Sequence, residues 1–119
     1  MEINILLIVL GGSLGAIGRY LVANGVKKWS SSSFPKATLL VNAIGSLLLG
    51  LLVGNGAGET AMFFFGVGLC GAFTTFSTFI WETISLLLQN MKMGLFYFFG
   101  SHIIGIIFGA TGYILGMAA

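Results

Sequence analysis

Between Gly71 and Phe79 the chain reads Gly71-Ala72-Phe73-Thr74-Thr75-Phe76-Ser77-Thr78-Phe79, with Glu82 one turn further on. This segment offers two kinds of chemistry. The first belongs to the backbone. A glycine followed by hydroxyl residues inside a long apolar run is a natural break point for a membrane helix, and the carbonyls freed at such a break can bind a cation. The second belongs to the side chains. Phe73, Phe76 and Phe79 recur every third residue and form a stripe drifting slowly around a helix. An aromatic ring is positive at its edge, and the interleaved Thr75, Ser77 and Thr78 add movable donors, so the stripe can line an anion's route without a fixed cation to trap it. Two plainer readings stand beside these: hydroxyls bonding back to their own helix, and phenylalanines packing in lipid.

Other polar residues are sparse. Asn42 and Glu82 are the most costly side chains within apolar runs, since an acid near the centre of a membrane helix costs about 2.5–3.5 kcal/mol and tends to face a partner or a pathway. Asn42 can equally serve as glue between helices. Arg19 can snorkel to the headgroups or pair with an acid. His102 follows Ser101 but has no acid nearby in sequence and no second ligand at metal spacing, which favours a packed, hydrogen-bonded histidine. Gly66-Val67-Gly68-Leu69-Cys70-Gly71 matches the dinucleotide fingerprint, but that motif needs a preceding strand and a βαβ unit, which a membrane run does not provide. The single cysteine, Cys70, can form no intrachain disulfide.

The elements that must position these residues follow from composition. The 119 residues are 57% hydrophobic and 7% charged, and the mean hydropathy is +1.06. That excludes a water-soluble globule. A formal charge of +2 is too small for nucleic-acid binding. Four apolar runs approach the roughly 20 residues a membrane helix needs, at about 3–23, 37–53, 60–89 and 93–117, so an all-α, single four-helix transmembrane domain over 1–119 is expected. A polar stretch, Asn24 to Lys36, follows the first. That first run differs from a signal peptide because Glu2 precedes it and the lysines follow. The third run is long enough that it must tilt, protrude or break near its middle. Trp29 and Trp81 suit an interfacial belt, and Trp81 suits helix packing equally well. Small residues spaced four apart at Gly11/Gly15, Ser46/Gly50/Gly54, Ser101/Gly105/Gly109 and Gly112/Gly116 predict close helix packing. Four helices make a thin bundle for any transport path, which points to an oligomer.

Taken together, Gly11-Gly12-Ser13-Leu14-Gly15-Ala16 leading to Arg19-Tyr20, Thr38-Leu39-Leu40-Val41-Asn42 with Gly45, and above all the block from Gly71 to Phe79 with Glu82 resemble the Fluc, or CrcB, family of membrane fluoride channels. The resemblance covers essentially the whole chain. It implies an antiparallel dimer of four-helix subunits with a broken third helix, two pores and a central structural sodium ion that is not transported. It implies that backbone carbonyls at Gly71 and Thr74 hold this sodium, that the ring edges of Phe76 and Phe79 face fluoride, and that Asn42 donates through its amide. Ser77, Thr78 and Glu82 match polar positions around the path, and Arg19 matches the first-helix motif. In the fourth helix the family's hydroxyl track is interrupted by Gly105 and Gly109, leaving Tyr97 and Ser101 as candidates. The implied function is passive fluoride export across the cell membrane, which lowers fluoride toxicity. Fluoride is small and strongly hydrated, so a narrow pore must replace its water with several weak donors. Amide, hydroxyl and ring edge form such a set.

Three other functions compete with this one. A small proton-coupled multidrug-type exporter is also a four-helix protein of this length, but those resemble one another by an acid in the first helix, and here Glu2 is terminal. A scaffold would leave the clustered hydroxyls and Asn42 unexplained. An enzyme would need a nucleophile and base or metal spacing, which do not appear. For orientation, Lys27, Lys28, Lys36 and Lys92 fall on one face, with Arg19 close to it and no Lys or Arg on the other. This bias puts the lysine-bearing loops in the cytoplasm and both termini outside. A homodimer of antiparallel chains needs dual topology and a nearly balanced count, so the expected partner is a paired, oppositely biased homologue. The alternative is that four lysines are too few to decide and the chain pairs with itself.

Overall fold

The computed structural model describes residues 2–30 and 34–119, and every described element is helical. α1 spans Glu2–Trp29 and α2 spans Lys36–Gly54. A third span, Glu59–Gln89, is composite: α3 (Glu59–Ala61), a π-helical stretch Met62–Cys70, α4 (Gly71–Phe73) and α5 (Ser77–Gln89). α6 spans Met91–Ala118. All four spans are long and apolar enough to cross a membrane.

α1 does not end at Ala23, the expected end of the first apolar run, but continues through Asn24, Lys27 and Lys28 to Trp29. Lysine is a good helix former, and the one glycine added, Gly25, costs only about 1 kcal/mol. Lys27 and Lys28 also occupy the last turn, where positive charge opposes the negative end of the helix dipole. The expected link Asn90 to Lys92 shortens to Asn90, because its side-chain Oδ1 accepts from the Met93 N–H at 3.3 Å and starts α6 at Met91. α2 ends in a glycine turn. Gly56, at φ 66°, lets the Gly56 N–H reach the Val53 carbonyl at 3.1 Å and the Ala57 N–H reach the Leu52 carbonyl at 3.0 Å.

The helices pack as two pairs. α1 lies along the π-helical stretch, and α2 lies along α6; α1 and α2, neighbours in sequence, barely touch. Both pairs approach backbone to backbone. A methyl added at Gly11 would run into the Phe64 carbonyl oxygen and one at Gly15 into that of Leu69. In the second pair Gly50 and Gly54 face the Gly109 and Tyr113 carbonyls, while Gly112 and Gly116 face those of Leu47 and Leu51. The row at Ser101/Gly105/Gly109 is looser than its spacing predicts: a methyl at Gly105 would have only the Ser46 Oγ near it, at 3.7 Å. α5 leans on α6 and carries most of the small side-chain core, in which Phe79, Leu86 and Tyr97 are buried. Cys70 is buried as a free thiol. Trp29 and Trp81 are both largely exposed.

Candidate functional site

The site is organised by the residues between α4 and α5. Phe73 is the last residue of α4 and Ser77 the first of α5. Thr74 between them is extended, at φ −84° and ψ 162°. Its N–H and its hydroxyl both donate to the Cys70 carbonyl, at 3.0 and 2.8 Å. Thr75 turns away from the helix axis to Asn42 of α2. The Thr75 N–H donates to Asn42 Oδ1 at 2.8 Å, and Asn42 Nδ2 donates to the Thr75 carbonyl at 2.9 Å. In a continuous helix that N–H would bond the Gly71 carbonyl. The Asn42 amide thus imitates a neighbouring strand, and one of its two N–H bonds is left over for another acceptor. Thr75 Oγ1 then accepts from the Thr78 N–H at 3.3 Å and steadies the start of α5. Ser46, one turn along α2, donates to the Asn42 carbonyl at 2.8 Å. Gly45 is required here, because a methyl at that position would collide with Thr74 Cγ2.

The two candidate phenylalanines have different surroundings. Phe79 is 3% exposed and Phe76 is 68% exposed, although their ring centres are only 5.9 Å apart. Phe79 is walled by Tyr97 at 5.2 Å, Phe98 at 5.8 Å and His102 at 5.5 Å. Tyr97 is itself 1% exposed and meets the Phe34 ring edge-on at 5.5 Å. Its hydroxyl donates to Glu82 Oε1 at 3.1 Å. Ser101 lies one turn beyond Tyr97 on α6, and its buried hydroxyl oxygen has no partner among the described residues. A buried donor without a partner costs about 1–3 kcal/mol.

Two open cavities meet at the interruption, and Thr75 borders both. One, of about 330 Å³, is also lined by Asn42, Gly71, Thr74 and Phe76. The other, of about 690 Å³, has Arg19, Lys27, Lys36, Thr78 and Glu82 on its walls. Gly71, Thr74, Asn42 and Phe76 are thus gathered on one side, and Arg19, Thr78 and Glu82 on the other. Ser77 sits exposed at the head of α5. Phe79, Tyr97 and Glu82 form a connected cluster, while Ser101 touches none of these through a hydrogen bond or ring contact given by the structure. Sequence reasoning passed over Thr75 as the partner of Asn42, and Phe34 and Phe98 as walls of the ring cluster; the packed, hydrogen-bonded histidine expected at His102 is found, with Nδ1 2.7 Å from the Phe98 carbonyl oxygen. Phe34 stands just before Pro35 in a polar stretch, where no periodicity marks it.

A family model described as CrcB-like protein, Camphor Resistance (CrcB), matches residues 6–113, which contain every residue named above as part of the site. The chain belongs to the CrcB family. It is 44% identical over 115 residues to the fluoride-specific ion channel FluC 2 of Bacillus cereus, covering 96% of this chain and 98% of that protein. It is 44% identical over 120 residues to the fluoride-specific ion channel FluC of Thermus thermophilus, covering 95% and 93%. With the fluoride-specific ion channel FluC 1 of Listeria monocytogenes the identity is 38% over 118 residues, covering 98% and 100%. As a CrcB-family chain with four apolar spans, it is a multi-pass membrane protein.

Proposed function

We propose that this protein is a fluoride-specific ion channel that lets fluoride leave the cytoplasm down its gradient. The observation that carries the reading is the full-length similarity to proteins named for that activity, laid over a site whose donors suit a small hydrated anion. Those donors are the spare Asn42 N–H, the Ser77, Thr78 and Ser101 hydroxyls, and the ring edges of Phe76 and Phe79. Glu82 and Tyr97 are bonded to each other, which ties the carboxylate to α6 beside the route. The donors themselves carry no fixed charge, so an anion is passed on rather than held.

The interruption between α4 and α5 is, on this reading, the functional break of the third helix, and the carbonyls of Gly71 and Thr74 hold a structural sodium ion. The residues fit. The Thr75 N–H is drawn off to Asn42, which leaves the Gly71 carbonyl without its helical donor, and both residues line one open cavity. The ion supplies positive charge that satisfies those carbonyls. The subunit works as an antiparallel dimer whose partner covers the exposed Phe76 and the cavity beside it. The partner is an oppositely biased homologue, with the lysine-bearing loops cytoplasmic and both termini outside. Labelling a terminal cysteine tag in intact cells tests this orientation, and equal labelling from both sides of the membrane would overturn it.

The function itself is tested with purified protein in liposomes, following fluoride and chloride efflux separately. Fluoride is expected to leave rapidly and chloride to stay. Transport that depends on a proton gradient would instead identify an exporter, and the absence of fluoride flux would remove the reading.

A further inference from the structure

His102 lies near the middle of α6, and its side chain is exposed on the subunit. An ionisable side chain at membrane depth faces a partner or a water-filled route rather than lipid. Its Nδ1 is 2.7 Å from the Phe98 carbonyl oxygen. A carbonyl only accepts, so Nδ1 carries the hydrogen and Nε2 is the atom left to take up or release a proton. That bond is the same in both charge states, and protonation therefore does not displace the ring. The imidazole centre lies 5.5 Å from the Phe79 ring, inclined at 66°, and 4.6 Å from the Phe98 ring. Phe98 in turn stacks on Phe79 at 5.8 Å and 22°. The three rings form a closed triangle with the imidazole anchored in it.

We propose that His102 belongs to the anion route: protonated at Nε2, it places a positive charge beside the Phe79 ring and makes fluoride flux rise as pH falls. The inference rests on the fluoride-channel reading above. At 5.5 Å from the Phe79 ring centre, the charge lies within the roughly 6 Å over which a cation and an aromatic ring interact. Few other ionisable groups compete. On the elements packed against α6 they are Glu82 of α5 and Lys36 of α2, and on α6 itself Lys92, Tyr97 and Tyr113. Glu82 is engaged by Tyr97.

The test uses the whole protein in liposomes, with fluoride efflux followed by electrode at about pH 5.5 and about pH 7.5. His102→Gln keeps a polar side chain without the charge, and His102→Phe keeps a ring against Phe79. Wild-type flux is expected to be several-fold higher at the lower pH, and both variants to lose that difference. Measured in the same vesicles, the variants also subtract any hydrogen fluoride crossing the lipid. In parallel, nuclear magnetic resonance of the wild-type protein should show the Phe79 ring signals shifting together with those of the His102 imidazole as pH is lowered. A wild-type protein that conducts fluoride equally at both pH values, or folded variants that keep the pH response, would overturn the inference and leave the channel reading intact. A Phe79 signal indifferent to His102 would overturn it too, even where the variants do not fold. A wild-type protein passing no fluoride at either pH would overturn both.

Discussion

Replacing Asn42 by alanine removes both hydrogen bonds that hold Thr75 out of the helix, at 2.8 and 2.9 Å. The loss exceeds that of two average hydrogen bonds, because the backbone N–H and carbonyl of Thr75 are left unpaired in a part-buried site. Each stranded group costs about 1–3 kcal/mol, so the pair is worth about 2–5 kcal/mol if the two costs overlap somewhat. At 1.36 kcal/mol per decade, even the lower figure raises the opening equilibrium of that segment about thirtyfold. The assay is hydrogen exchange at the Thr75 amide in detergent or nanodiscs. Asn42→Ala should speed exchange by at least about thirtyfold while amides of α6 keep their protection, and fluoride efflux should fall in step. Asn42→Asp gives a finer test, since a carboxylate still accepts from the Thr75 N–H but presents an oxygen to the Thr75 carbonyl. It should lie between wild type and alanine in exchange at Thr75. Unchanged Thr75 exchange in Asn42→Ala would refute the claim that this amide shapes the interruption.

Three further outcomes are expected. Phe76→Ile should leave the subunit's thermal stability nearly unchanged and cut fluoride efflux, because the ring is 68% exposed and only its edge is lost; Phe79→Ile should cut efflux and also lower the melting temperature, because Phe79 packs in the core. Equal fluoride flux in a correctly folded double variant would remove both from the pore. Gly71→Ala has room within the subunit, where the nearest atom to the new methyl is the Gly66 carbonyl oxygen at 4.0 Å, so helicity by circular dichroism should persist while dimer content by cross-linking and flux both fall; an intact, conducting dimer would count against a cation held at this turn. Tyr97→Phe removes the donor to Glu82 and should destabilise the α5–α6 contact by about 1.5–3 kcal/mol, since the bond is to a charged group, read as a lower melting temperature with chloride still excluded; no change in stability would mean that the hydroxyl is not engaged.

The four spans were legible because a stretch of about 20 apolar residues has one solution in a bilayer. The close approach of Gly11 and Gly15, and of Gly112 and Gly116, was legible for a related reason: small residues four apart share one helix face. What the sequence could not supply was the identity of the facing partners. Nothing local joins Asn42 to Thr75 thirty-three residues away, a contact that depends on how the helix pairs are set against each other, or Phe34 to Tyr97, which depends on how α2 is aligned along α6. The π-helical stretch Met62–Cys70 was also missed. It is apolar on every side, so no periodicity distinguishes a wide turn from an ordinary one. The extra turns of α1 past Ala23 were hidden by polarity alone, since Asn24, Lys27 and Lys28 read as a linker while being compatible with a helix whose end they suit.

The backbone-to-backbone approach of the helix pairs has an implication for how this chain can vary. In a water-soluble domain the large buried side chains are the constrained positions, and the small exposed ones drift. Here the order is reversed. Bulky residues such as Ile3, Leu21, Ile106 and Ile114 stand outward with more than half their surface open, where one apolar group serves as well as another. Gly11, Gly15, Gly50, Gly54, Gly112 and Gly116 have a neighbouring carbonyl where a single methyl would go. A saturation scan of this protein would therefore find its least tolerant sites at residues with no side chain at all, and would find the outward isoleucines and leucines freely interchangeable.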